Sequence, residues 1–195
     1  KAELEKVNAQ IEAAKKAEIE KRRKPLEKGL ERIDKILSGN KQIETEKQAI
    51  EVLNEVHRFR KNHKRRGLAT KEELAQMNKF EQEAKEKFGL EIVSQLGKKY
   101  DERQNIDVTN FNTVENSQGN ERLIIAEDKP QINKNGVLTQ RARVDVLNGL
   151  SKQQYDAELA ALEQSTQQTS EVEVKKTGEI AALESKIQDV ENKIK

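Results

Sequence analysis

Apolar residues recur with helical spacing near the end of the chain. In the segment Glu179–Lys195, five of them are separated by three, four, three and four positions, with polar residues between them. This spacing forms one narrow seam along a helix, the pattern typical of a coiled coil. Because a helix with only such a seam is not stable alone, a partner helix is expected. The predicted seam consists of Ile180, Leu183, Ile187, Val190 and Ile194.

The same spacing occurs at the start of the chain. A first helix is predicted over Lys1–Lys24. Pro25 is expected to end or kink this helix, because proline lacks a backbone donor and disfavours helical angles in the preceding residue. Apolar residues at helical spacing then continue to a glycine stop at residues 38–40. The seam of the first helix consists of Leu4, Val7, Ile11 and Ala14.

Local signals predict two further helices before residue 90. One covers Lys41–Arg66, and Gly67 stands where a left-handed cap would close it. Thr70 and Glu73 form a capping box that begins the next helix, because each side chain can bind the backbone N–H of the other residue. The helical pattern of this segment is again amphipathic.

The second half of the chain has a more mixed pattern. Gly89 is predicted to end the helix that begins at Thr70. Leu90–Arg103 is predicted to form another helix. Asn105–Gly136 is rich in Asn, Asp, Thr and Gly, so it is interpreted as an irregular insert with room for a short β-hairpin. Thr139–Leu147 is predicted as a brief helix, and Ser151 as the cap of a longer one.

The composition supports long helices with thin seams. Only 33% of the residues are hydrophobic and 3% are aromatic, whereas 37% are charged and the mean hydropathy is −0.97. So few aromatic residues do not build a thick globular core. We therefore predict an all-α fold, an elongated coiled-coil or helical-hairpin bundle with the insert near its middle. Its parts are a helical region over residues 1–104, the insert over 105–136, and a helical return with the terminal coil over 137–195.

Charge changes this picture in one place. The chain has 37 basic and 35 acidic residues, a net charge of +2, so general attraction to nucleic acid or anionic membrane is not predicted. The run at residues 57–66 is nevertheless strongly basic and has no acid. It has two interpretations, a solvated helix face near a C-terminus or a patch that binds anions. The candidate anion contacts are Arg58, Lys61, Lys64 and Arg65.

Candidate catalytic and metal-binding motifs are weak. There is no Cys, which excludes thiolate catalysis and Cys-based zinc sites, and the glycines form no phosphate-binding loop. His57 and His63 are six positions apart and therefore diverge on a helix instead of converging on a metal. The serines have no nucleophile-elbow setting. The sequence predicts that the protein is not an enzyme and uses neither a cofactor nor a metal.

The insert is the second candidate for binding, because irregular segments on rigid scaffolds often carry function. Its apolar run offers a partner contact, although burial against the helices explains the same residues equally well. This run consists of Leu123, Ile124 and Ile125.

The function predicted from these observations is structural. We expect a non-enzymatic assembly or partner-binding segment of a longer protein, in which coiled-coil helices present a helical head, as in virion or secretion assemblies. Its partner would be another protein or a second copy, and pairing within one chain remains open. The alternative is a helical module that associates with nucleic acid through residues 57–66. No apolar run exceeds the four residues of Leu123–Ala126, which is far too short for a transmembrane segment.

Overall fold

The fold is a combination of helices and two β-sheets. The structure is a computed structural model that describes residues 2–115 and 119–164, with side chains described from residue 13 onward. The helices are α1 (Ala2–Ile36), α2 (Glu46–Arg66), α3 (Lys71–Phe88) and α4 (residues 152–164). The strands are β1 (Leu90–Val93), β2 (Asp107–Thr113), β3 (Glu121–Lys129), β4 (Gln131–Lys134), β5 (Val137–Gln140) and β6 (Arg143–Leu150).

The predicted all-α bundle is therefore wrong. Six strands occupy the region between α3 and α4 and form two three-stranded sheets. The predicted helices over Leu90–Arg103 and Thr139–Leu147 are replaced by β1 with its following loop and by β5 with the first part of β6. The segment interpreted as an irregular insert contains β2, β3 and β4. Strand pairing depends on residues far apart in sequence, which helical spacing does not report.

One sheet contacts the helices and includes the hairpin formed by β4 and β5. Its strand order is β1–β4–β5, and both pairings are antiparallel. Strands β4 and β5 are connected by Asn135 and Gly136, whose φ angles are 50° and 81°, as a tight two-residue hairpin requires. Leu90 and Ile132 belong to the core formed with the helices.

The other sheet has the order β2–β6–β3, with β6 at its centre. Strand β6 pairs parallel to β2 and antiparallel to β3. Its inward residues alternate along the chain, so a second small core forms on one face of this sheet. The chain crosses between the sheets at Pro130, which separates β3 from β4 and cannot donate a ladder hydrogen bond. The buried members of this core are Ile124, Ala142, Val144 and Val146.

The predicted helix ends are largely confirmed. Thr70 and Glu73 form the capping box of α3, and Gly67 and Gly89 close α2 and α3 in left-handed conformation. Helix α1, in contrast, continues through Pro25 to Ile36, so of the two predicted effects of this proline, an end or a kink, the end is wrong. The proline ring leaves the carbonyl of the fourth residue before it without its helical donor.

Two cap glycines allow a matched test. Gly89 has φ 69°, and a Cβ at this position would lie 2.1 Å from Asn135 Oδ1, whose residue also donates its backbone N–H to the Gly89 carbonyl at 2.8 Å. Gly67 has φ 63° but open space around it. We expect Gly67→Ala to lower the free energy of unfolding by about 1–2 kcal/mol through left-handed strain alone. Gly89→Ala should lower the free energy of unfolding by about 2–3 kcal/mol, because displacement of Asn135 adds to the same left-handed strain.

Urea unfolding of the two variants measures this difference. Equal destabilisation would show that Asn135 moves away from a new methyl group at no cost, contrary to the packing of the hairpin turn against the end of α3.

Candidate functional site

The first predicted seam falls in the first half of α1. This helix has 35 residues, about 52 Å at 1.5 Å per residue. Residues 13–20, including Ala14, are all exposed, and burial begins only at Leu26. Leu4, Val7 and Ile11 belong to the same helix, whereas the five seam residues at 180–194 lie outside the described residues. Among the residues of α1 whose side chains are described, the buried ones therefore lie in its second half.

The basic run divides between two sides of α2. Arg58 forms an ion pair with Glu55, and Lys61 Nζ lies 2.5 Å from Asp128 Oδ1 at the end of β3. Lys64 and Arg65 have no ion pair with any residue that the structure describes. Phe59 and His63 belong to the same run but are four positions apart, on one side of α2, and both are buried. The list of four candidate anion contacts therefore contains two cations that already have carboxylate partners.

The partner of Lys61 stays charged in neutral solution. The Lys61 ammonium hydrogen-bonds to Asp128 and lowers the pKa of that carboxyl below its usual value. A lowered pKa in the folded state means that the pair contributes stability above the ordinary pKa of Asp. That contribution is lost as the pH falls through the folded pKa. At neutral pH, Lys61 is therefore occupied by an internal carboxylate.

The apolar run of the insert lies in β3. Leu123 and Ile124 are fully buried, and Ile125 is half-buried. Ile124 packs in the core of the β2–β6–β3 sheet. In this conformation the two buried side chains offer no surface to a partner, as the burial interpretation of the run expects.

A groove between α1 and α2 gathers cations that sequence analysis did not single out. Its volume is about 430 Å³, and one of its walls is a row of basic residues on α1. Three Lys at positions 21, 24 and 28 follow helical spacing, a signal that was present in the sequence. The lining residues are Lys21, Lys24, Pro25, Lys28, Arg32, Asn62 and Arg66.

Most of these cations lack an internal counter-charge. Lys21, Lys24, Lys28 and Arg66 form no ion pair within the described part of the chain. Arg32 is the exception, with its Nε 2.7 Å from Glu55 Oε2. Glu55 is shared between Arg32 and Arg58, so these three groups still leave one net positive charge. The groove is strongly basic in a protein whose total charge is only +2.

A buried residue of β3, Glu127, contacts both α2 and the segment that follows β1. Glu127 on β3 is 4% exposed, and its carboxylate accepts from the Gln95 backbone N–H at 3.0 Å and from the Ser94 hydroxyl at 3.1 Å. His57 Nε2 lies 3.1 Å from the Glu127 backbone oxygen. Because a carbonyl only accepts, Nε2 carries the proton in this contact. The other ring nitrogen lies 4.0 Å from Glu127 Oε2.

This group of Ser, Glu and His does not have the order of a catalytic triad. In a triad the hydroxyl donates to the imidazole, which is the base that takes its proton. Here the Ser94 hydroxyl donates to the Glu127 carboxylate instead. In the arrangement observed, the polar contacts connect α2, the segment after β1, and β3.

Other ligand sites are weakly supported. Among the residues described, no group of three or more His, Cys, Asp or Glu is placed to hold a metal ion. No helix in the same ranges combines the length and the apolar composition that crossing a membrane requires. A second depression, of about 700 Å³, is lined by residues near Tyr100, and two of its cations, Lys99 and Arg122, pair with Glu121 and Glu102.

Comparisons with known proteins give no assignment. No family model matches the chain, and neither the curated proteins nor the solved structures include a significant match. Two features of the described residues remain as candidates for binding, the exposed residues 13–20 of α1 and the basic groove between α1 and α2.

Proposed function

We propose that the protein is a non-enzymatic assembly module, an α/β head carried on a long helix that pairs lengthwise with another helix. The observation that carries this proposal is the exposure of residues 13–20 within a helix whose later residues are buried. A helix of this length is not held by its intrinsic propensity alone, since most helical stability in proteins comes from packing of an apolar face. The apolar spacing of Leu4, Val7 and Ile11 is the sequence pattern that suits such packing.

Two partners have a suitable seam. One is the terminal segment Glu179–Lys195, whose 17 residues would span about 26 Å as a helix, close to the length of residues 2–20. The other is α1 of a second copy. In both cases the partner is protein, and the helix pair positions the head. Association with nucleic acid through residues 57–66 stays a prediction.

The test is a pair of double variants with equal charge. In V7E/I11E, two charges enter the seam, where burial of unpaired carboxylates opposes helix pairing. In A9E/A13E, the same charges lie about 180° away at 100° per residue. Size exclusion with light scattering, together with thermal melting followed by circular dichroism, measures both. We expect V7E/I11E to lower either the mass or the melting temperature, and A9E/A13E to leave both unchanged.

Deletion of residues 179–195 separates the two partners. If the terminal segment is the partner within one chain, the deletion lowers the melting temperature of a monomer. If a second copy is the partner, seam variants reduce the mass. The proposal is contradicted if V7E/I11E and A9E/A13E behave alike in both measurements.

A further inference from the structure

We propose that the groove between α1 and α2 binds the phosphodiester backbone of a nucleic acid. The inference is independent of helix pairing by α1, because the groove lies beside the buried half of that helix. It is carried by the row of Lys21, Lys24 and Lys28 on one wall and Arg66 on the other, none of which has a carboxylate partner among the described residues.

The spacing of the cations suits a regular polyanion. Lys21, Lys24, Lys28 and Arg32 are separated by three, four and four residues, so they rise along α1 by about 4.5–6 Å at each step. At 100° per residue they fall within about 80° of one another, on a single face. A line of charges about 17 Å long can neutralise several phosphates of one strand, whereas one small anion would occupy only part of it.

The cations are in excess of what the fold needs. A basic residue near the end of α2 can complement the helix dipole, but Arg22 already donates to the carbonyl of Arg66 at 2.7 Å. Neighbouring Arg23 pairs with Glu73 and contacts the Leu68 carbonyl at 2.6 Å, so α1 carries structural cations on a different side. Lys21, Lys24 and Lys28 make no comparable contact within the described part of the chain.

The other chemistry of the groove favours backbone recognition without base recognition. No aromatic residue lines it, so stacking platforms for bases are missing from this surface. The single polar amide, Asn62, can donate to a phosphate oxygen. Binding that depends on Lys and Arg alone is independent of sequence and sensitive to salt.

A membrane surface fits less well. Proteins that lie on anionic membranes combine cations with exposed apolar side chains on the neighbouring face. The only large exposed apolar residue described on α1 is Ile19, which is 53% exposed. It lies about 160° from Lys21 at 100° per residue, on the opposite side of the helix.

The experiment measures binding of the full chain to a fluorescent single-stranded oligonucleotide and to a duplex of the same length. With about four phosphate contacts, the slope of log K against log salt should be about −3 to −4. Affinity should therefore fall about a hundredfold between 50 and 200 mM salt.

A matched pair of triple variants tests the location. K24Q/K28Q/R66Q removes three groove cations, and K47Q/K71Q/K79Q removes three exposed lysines that lie elsewhere and form no ion pair with described residues. We expect the groove variant to lose about tenfold or more in affinity at 50 mM salt and to reduce the slope by about two to three. The control variant should bind like the parent protein.

Four outcomes would overturn the proposal. These are undetectable binding at 50 mM salt, equal losses in the two triple variants, tighter binding to polyglutamate than to an oligonucleotide of equal charge, and binding to phosphatidylserine vesicles without binding to either oligonucleotide. Circular dichroism of both triple variants confirms that the folded state is retained, as expected for substitutions at the surface.

Discussion

Phe59→Ala is expected to lower the free energy of unfolding by about 3–5 kcal/mol, among the largest effects of any single substitution in this chain. The ring is fully buried in the core shared by α1, α2 and α3. Its Cδ2 would lie 3.4 Å from a Cβ added at Gly29, so the ring packs directly against the backbone of α1. Truncation removes a large apolar surface and leaves a cavity between two helices that are not free to close it.

Two comparisons make this expectation specific, and urea unfolding is the measurement. Phe59→Leu keeps most of the volume and should cost about 1–2 kcal/mol. Phe111→Ala removes the same side chain from edge strand β2, where it is 52% exposed and meets Tyr100 edge-on at 5.6 Å. It should cost only about 0.5–1.5 kcal/mol. If the loss in the free energy of unfolding for Phe59→Ala lies within about 1 kcal/mol of the loss for Phe111→Ala, then α1 and α2 close the cavity.

The same substitution is relevant to the groove. Lys28 and Arg66 stand on different helices and are brought together only by the packing of α1 on α2. A domain of ordinary stability has about 5–15 kcal/mol in total, so a loss of 3–5 kcal/mol populates opened states. Oligonucleotide binding should therefore be measured only on variants that retain the folded state.

The helices could be predicted because their signals are local. Helix ends depend on residues within one turn, such as Thr70 with Glu73 or the left-handed glycine at 67. The apolar spacing from Leu26 to Leu37, at the end of α1, is also local, and Leu26, Ile33 and Leu37 are buried as spacing predicts. Pro25 does not end α1, because the packing of α1 on α2 outweighs the loss of a single helical hydrogen bond.

The strands were missed for two different reasons. Leu90–Val93 is a four-residue apolar run, which periodicity alone does not distinguish from part of a buried helix. Strand β6 did carry a signal, since Ala142, Val144 and Val146 alternate with polar residues and are buried. That period of two is typical of a strand, and the brief helix predicted there is wrong. Its parallel pairing with β2 depends on a partner more than 30 residues away, and no local pattern specifies it.

The candidate site shows the same division between local and distant information. The basic run at 57–66 is visible as composition, but which of its cations are available depends on Glu55 and Asp128, and Asp128 is far away in sequence. The groove requires Lys21, Lys24 and Lys28 to meet Arg66. Their spacing predicts one helix face, whereas the concave surface exists only because α1 packs on α2.

Neighbouring acids on β3 give the second large expected effect. Glu127→Ala should lower the free energy of unfolding by about 2–4 kcal/mol, because it leaves the buried Gln95 N–H without its acceptor and removes the charged partner of Ser94. Asp128→Asn, one residue further along, should change it by less than about 1 kcal/mol, since Asp128 is half exposed and pairs with Lys61 at the surface.

Glu127→Gln separates charge from hydrogen bonding at the same position. Its amide oxygen can still accept from Gln95, so we expect a loss of about 1–2 kcal/mol, between the losses of the other two variants. If Glu127→Ala instead unfolds in urea like Asp128→Asn, water or a neighbouring side chain replaces the carboxylate. In that case the connection of α2 to β3 depends on apolar packing and on the His57 contact with the Glu127 carbonyl, which an alanine at 127 retains. The order of the three variants therefore measures how far the buried carboxylate holds β3 to the segment that follows β1.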